Sequence, residues 1–325
     1  MAFRLVCINP DSPYTFLLLE RAAEKITAND IRSLLQKTDK NSDARIYYHS
    51  LLFVKEKNMA EREKRIPSLS AASVRDNRLV EDSLQNAASG KYKTKQLQNL
   101  EKYMSIGYTE GIERVTGILP DADTADIEKA AALAHLGGKY SYPFYSVYYG
   151  QQLLKSLSVR ENIFILPQKF IAMILPSPFA EEVKQSCDRY KTDPNSVYSL
   201  IKAESLFNHK AKSSAGAIGL MQLMPPTAGE IAKNSGMTQY DLKKPEDSIR
   251  FGSYYLGWLK GYYKNNFIYM AAAYNAGAGN VNKWIKKIGD TDPDYFTEFV
   301  AFTETRYYIL RTGKFVRQYS IINGS

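Results

Sequence analysis

Apolar positions along this chain recur at three- and four-residue spacing, and the alternation expected of strands is rare. The pattern predicts an all-α protein. Up to about residue 160 it predicts short to medium helices over Tyr14–Lys25, Ala28–Gln36, Ser42–Lys57, Leu79–Ala88, Tyr92–Ile106, Thr109–Thr116, Thr124–Leu136 and Tyr142–Ser156. Gly90, Gly107, Pro120 and the pair Gly137-Gly138 read as breakers between them. Thr27, Asn41 and Asp123 stand where N-caps belong. Short helices in succession suggest helical hairpins stacked as an α-superhelix, without a repeat of fixed period.

The rhythm changes at ENIFILPQKFIAMILPSPF, an apolar stretch with three prolines. Three segments follow: a helical-hairpin region at 1–160, a connector at 161–178, and a compact helical domain at 179–325.

The candidate chemistry lies in the third segment. In DPNSVYSLIKAESLF, Asp193 is a plausible N-cap and Pro194 suits the first helical position. Val197, Leu200, Ile201 and Glu204 then share one face, which is the apolar one. A carboxyl there holds its proton more tightly and is suited to general-acid work. The alternative is a buried Glu paired with backbone donors or with an arginine such as Arg306 or Arg311, and the two readings weigh about equally on spacing alone. The loop SSAGAIGLMQLMPPTA tips the balance. Gly216 and Gly219 let backbone approach a ligand, Gln222 offers an amide, and Met221 and Met224 offer apolar surface. Further on, Ala271–Ala273 with Tyr274, Asn275 and a Gly277/Gly279 turn form a second block. FVAFTETRYYILRTGKFV is an amphipathic C-terminal helix with Tyr307 and Tyr308 in its middle.

Composition changes this picture little. The 325 residues suffice for one large core or two units. A formal charge of +9 suits an anionic polymer, but the basic residues are scattered, without a nucleic-acid patch. Two cysteines give no disulfide framework. Three histidines lack metal-ligand spacing, so neither a metal nor another cofactor is expected. No run is apolar and long enough to span a membrane. The first residues, MAFRLVCINPDSPYTFLLLE, are broken by Asn9, Pro10, Asp11 and Pro13 and do not read as a signal peptide.

Four blocks in order carry a resemblance. They are Glu204-Ser205, the run from Ser213 through Gly219-Leu-Met-Gln222-Leu-Met-Pro, Ala273-Tyr-Asn-Ala-Gly277, and Glu304-Thr-Arg-Tyr-Tyr308. From about Tyr190 to Arg317 the chain resembles soluble lytic transglycosylases of the Slt type (family 1), with a goose-type-lysozyme-like catalytic domain. The first half resembles that family's α-superhelical region in class only.

The resemblance implies cleavage of the β-1,4 bond between N-acetylmuramic acid and N-acetylglucosamine in peptidoglycan, with 1,6-anhydro ends. It implies Glu204 as the single acid/base. Ser213, Gln222, Met224, Tyr274 and Asn275 would line the glycan groove, and Tyr308 would orient Glu204. His209 falls at the rim. The partners implied are glycan strands, with a protein partner possible through the N-terminal helices. The location implied is the periplasm or cell envelope. Two alternatives stand beside this: a muramidase of the same fold that admits water, and a wall-binding scaffold with a vestigial site.

Overall fold

The computed structural model describes residues 27–37, 71–92, 94–118, 126–157, 163–288, 296–297 and 299–323. Among these the regular structure is helical, with isolated antiparallel bridges at Lys212/Ile218 and Ile218/Leu223. The chain divides into two compact units, Met1–Pro176 and Ser177–Ser325.

In the first unit the described helices are α1 (Ala28–Lys37), α2 (Ala71–Ser89), α3 (Lys95–Ser105), α4 (Thr109–Ile118), α5 (Ile127–Lys139), α6 (Pro143–Lys155) and α7 (Gln168–Ile174). Thr27 opens α1 in a reciprocal cap. Its hydroxyl accepts from the Asp30 N–H at 3.2 Å, and the Asp30 carboxylate accepts from the Thr27 N–H at 2.9 Å. The helix expected from Tyr92 starts later, at Lys95, because Thr94 is the residue that caps, accepting from the Leu97 N–H. The helix expected from Thr124 starts at Ile127 for the same reason, with Asp126 accepting from the Lys129 N–H. The expected helices at 14–25 and 42–57, and the caps Asn41 and Asp123, lie outside the described residues.

Gly137 and Gly138 do not break α5, which runs through them to Lys139. They serve packing instead. A Cβ on Gly137 would lie 2.4 Å from the backbone nitrogen of Ser146 in α6. Gly150 plays the matching part in α6, where a Cβ would lie 2.6 Å from Ile174 in α7. Residues 161–176, read from sequence within a connector, thus include a helix whose Phe170, Ile171, Met173 and Ile174 are buried.

The second unit holds α8 (Ala180–Tyr190), α9 (Pro194–Ser205), α10 (Pro225–Ser235), α11 (Pro245–Tyr262), α12 (Phe267–Ala276), α13 (Ala278–Ile288) and α14 (Thr303–Asn323). Asp193 caps α9 as expected, accepting from the backbone of Asn195 and Ser196, with Pro194 at the first position. Helix α9 is central and is buried on most sides. Helix α14 lies along it and holds it at both ends. At one end Asn323 donates to Asn195 Oδ1, and Asn195 donates to Ser320. At the other, Tyr308 reaches Glu204. Between them the rings of Tyr198 and Tyr319 stack, with centroids 5.5 Å apart.

One residue of α9 is at odds with its surroundings. Lys202 is 3% exposed, and its ammonium lies 4.3 Å from the centre of the Phe315 ring. Burial, aided by the charge of Lys314, pushes its pKa down to about 7. The unfolded chain therefore binds this proton more readily than the folded one between about pH 7 and the ordinary lysine value. Stability from this group rises with pH across that window and is lost as pH falls through about 7. Lys202→Met keeps the length without the charge. It should stabilise the second unit by about 2 kcal/mol at pH 6, raising its Tm by roughly 5 °C. The gain should shrink towards zero at pH 10. Calorimetry at the two pH values checks both the size and the trend.

Candidate active site

Helix α9 ends one residue after Glu204, and it ends without a glycine. Leu206 and Phe207 both take left-handed backbone angles, with φ of 49° and 67°. Single non-glycine residues in that region carry a cost, and Phe207, 1% exposed, is held there by its burial. This turn sends the chain back across the end of α9 as the loop 206–224.

The loop is fastened by its own polar groups. Ser205 Oγ donates to the Leu220 carbonyl at 2.8 Å. The Met221 N–H donates to Ser248 Oγ at 3.1 Å. Gly219 has φ of 82° and passes so close to the next strand of chain that a Cβ would sit 1.9 Å from the Leu242 carbonyl oxygen. Only glycine meets both conditions.

The residues expected to line a groove take different parts in this loop. Gln222, itself left-handed at φ 46°, gives its amide N–H groups to the carbonyls of Gly219 and Ala211, at 2.9 and 3.2 Å. Ser213 Oγ accepts from the Ala217 N–H at 3.0 Å. Both side chains therefore brace the loop, and the Gln222 carbonyl oxygen and the Ser213 hydroxyl proton are what they retain for a ligand. Met224 is exposed. Met221, read from sequence as apolar surface, is completely buried; it fills the gap left by Gly252 of α11.

Helices α12 and α14 supply the rest. The Tyr274 hydroxyl donates to the Met221 carbonyl at 2.9 Å. Thr305, 1% exposed, donates to Asn275 Oδ1 at 2.7 Å, which turns the Asn275 amide so that its N–H groups point away from that partner. Tyr308, 2% exposed, donates to Glu204 Oε1 at 2.5 Å. Thr305 and Tyr308 are three apart on α14, so one helix face fixes both Asn275 and Glu204. Sequence reasoning missed Thr305 because a buried Thr next to a charged pair carries no pattern of its own.

Glu204 is partly buried. Burial pushes its carboxyl up to about 7, against the pull of the Tyr308 hydrogen bond and the Arg311 charge; Glu304 adds a small upward push. Neither arginine considered from sequence forms an ion pair with it. Arg306 donates to Thr303, and Arg311 lies over the Tyr308 ring, 5.7 Å from its centre. Tyr308 and Tyr274 have their hydroxyl pKa values raised well above the ordinary phenol range, first by burial and then by the nearby Glu204 charge. Both phenols keep their protons and stay donors. The site can therefore hold one protonated carboxyl near neutral pH, oriented by a neutral phenol, which is what delivery of a proton requires.

His209 lies apart from this set, with Nδ1 donating to the Lys243 carbonyl at 2.9 Å. Among the described residues no three His, Cys, Asp or Glu side chains come together as metal ligands. Among them, too, no helix is long and apolar enough to cross a membrane.

The chain is similar to known proteins in sequence and in fold. Residues 181–297 match the family described as Transglycosylase SLT domain. A stretch of 181 residues is 34% identical to a putative soluble lytic murein transglycosylase of Haemophilus influenzae, covering 54% of this chain and 30% of that protein. Another of 115 residues is 40% identical to the soluble lytic murein transglycosylase of Escherichia coli, covering 34% of this chain and 18% of that one. The chain thus spans less than a third of the length of these curated relatives. In fold it is similar to the crystal structure of the 70 kDa soluble lytic transglycosylase of Escherichia coli, with a TM-score of 0.57 and 21% identity over 97% of this chain and 53% of that one. On these matches residues 181–297 are similar to the transglycosylase SLT domain, and the chain resembles the soluble lytic transglycosylases.

Proposed function

We propose that this protein is a peptidoglycan lytic transglycosylase whose catalytic domain is 179–325 and whose acid and base are both Glu204. The observation that carries the reading is the Glu204 carboxyl itself: raised to about 7 by burial, without an ion pair among the described residues, and held by the Tyr308 hydroxyl.

The chemistry follows from one carboxyl used twice. Protonated Glu204 gives its proton to the glycosidic oxygen between N-acetylmuramic acid and N-acetylglucosamine. The C1–O bond breaks, and the electron pair leaves with the oxygen. The N-acetyl oxygen of the muramic residue stabilises the positive C1. Glu204, now a carboxylate, removes the proton of that sugar's 6-hydroxyl, whose oxygen bonds to C1. The carboxyl is restored, a 1,6-anhydro ring is formed, and no water is consumed. An apolar surrounding suits this outcome by keeping water from the intermediate.

Tyr308 orients the carboxyl. The Asn275 amide, turned by Thr305, is placed to donate to a substrate carbonyl. Ser213, Gln222, Met224 and Tyr274 form the walls against which the strand lies. Such an enzyme works in the cell envelope, on glycan strands, and the N-terminal helices offer a surface for a protein partner.

The test is the mass of the products. Purified peptidoglycan digested by the protein should release muropeptides about 18 Da lighter than their reducing counterparts, one water less. Reducing ends instead would make the protein a muramidase, and binding without release would make it a scaffold.

A further inference from the structure

The chemistry above leaves an aromatic array on α11 unused. On α11, Tyr255, Trp258 and Tyr262 fall at i, i+3 and i+7 and so share a face. The Tyr255 and Trp258 rings lie 8° from parallel with centroids 5.9 Å apart. The Trp258 and Tyr262 rings lie 23° from parallel at 5.1 Å. Trp258 is 48% exposed and Tyr262 is 52% exposed, an unusual expense of apolar surface for two of the largest side chains.

These rings are held in place. Asn282 of α13 donates to the Tyr262 hydroxyl at 2.8 Å, and its own Oδ1 accepts from the Tyr263 hydroxyl at 3.0 Å. Tyr263 also packs edge-on against Tyr262, with centroids 4.9 Å apart. A chain of two hydrogen bonds thus fixes a ring that solvent would otherwise leave free to rotate. Ordering before binding is what lowers the entropic cost of a contact.

The array is also continuous with the candidate site. Tyr255 meets Tyr274 at 5.4 Å, and Tyr274 is bonded to the Met221 carbonyl in the loop that follows Glu204. Its size limits what can bind. Half of two aromatic side chains offers roughly 200 Å², against about 800 Å² per partner for a stable protein interface. A narrow ligand fits better than a protein. A pyranose ring presents a flat C–H face for stacking and keeps its hydroxyls in water at the edges.

We propose that the Tyr255–Trp258–Tyr262 face of α11 is a stacking platform for sugar units of a glycan strand that continues beyond the bond at Glu204. The platform rests on the reading of this protein as a glycan-cleaving enzyme.

Its test uses the full chain with Glu204→Gln, which keeps strands intact. The sequence has two tryptophans, so Trp284→Phe leaves Trp258 as the one reporter. Adding peptide-free glycan strands from purified peptidoglycan should change Trp258 emission saturably. Independently, Trp258→Ala with Tyr262→Ala, in the Glu204→Gln background alone, should weaken strand binding about tenfold by calorimetry, and weaken it more for long strands than for short ones. If strands bind but the emission stays fixed and the double variant binds equally well, the platform is wrong and the enzyme reading stands. If strands do not bind Glu204→Gln at all, both fall. Self-association that the double variant abolishes, with no response to glycan, would make this face a contact between copies and overturn the platform.

Discussion

Glu204→Gln is expected to lower release of soluble muropeptides by about 10³-fold, within the range that a single general acid supplies. The substitution changes the proton inventory and little else. The amide has the same shape, and its Oε1 still accepts from Tyr308. It has no acidic proton for the leaving oxygen and no basic oxygen for the 6-hydroxyl, so both half-reactions fail together. The wild type should show the complementary pH effect. With the carboxyl raised to about 7, the protonated fraction, and with it the activity, falls as pH rises through 7.

In the variant, stability should move opposite to activity. The folded protein holds the Glu204 proton more tightly than the unfolded chain. This group's effect on stability is therefore neutral at low pH and becomes unfavourable as pH rises from the ordinary glutamate value to about 7. Glu204→Gln removes the burden. At pH 8 the variant should be more stable by about 1–2 kcal/mol, a figure reduced because Glu204 is only partly buried. Loss of activity together with a gain in denaturant midpoint separates a functional carboxyl from a structural one, whose removal would cost stability.

The second large effect is structural in origin. Gly219→Ala should destabilise the C-terminal unit by about 3–5 kcal/mol and abolish activity. Two penalties add. The backbone is left-handed at φ 82°, and the new Cβ would lie 1.9 Å from the Leu242 carbonyl oxygen and 2.9 Å from Ser248 Oγ. Ser248 is the group that receives the Met221 N–H, so relief of the clash moves the floor of the loop. Gly216→Ala is the control. It too is left-handed, at φ 94°, but nothing lies within 4 Å of its Cβ position. It should cost about 1 kcal/mol, the conformational part alone. Urea midpoints of the two variants measure the difference.

Much of this was readable from local signals. Asp193 before Pro194, and the face that Glu204 shares with Val197, Leu200 and Ile201, are properties of one short stretch, and the structure keeps both. What escaped depends on partners far along the chain. Gly137 and Gly138 look like a break until Ser146 is seen against them. Met221 looks like groove lining until Gly252 makes room for it in the core. The groove expected at Gln222 and Ser213 does not announce that their side chains also bond to the loop's own backbone, which follows because a turn with so few side chains must satisfy its carbonyls and N–H groups locally. No residue type announces the left-handed pair Leu206 and Phe207, since burial of the Phe ring holds it.

The grip of α14 on α9 bears on how the protein is made. Glu204 and Tyr308 are 104 positions apart, and Asn195 and Asn323 are 128 apart. At usual rates of synthesis, on the order of ten seconds pass between the appearance of the acid and of the residue that aims it. Throughout that interval the nascent chain has its carboxyl but no means of directing it. The site is complete only once α14 has been made, so a product interrupted before Tyr308 carries the acid without the residue that orients it.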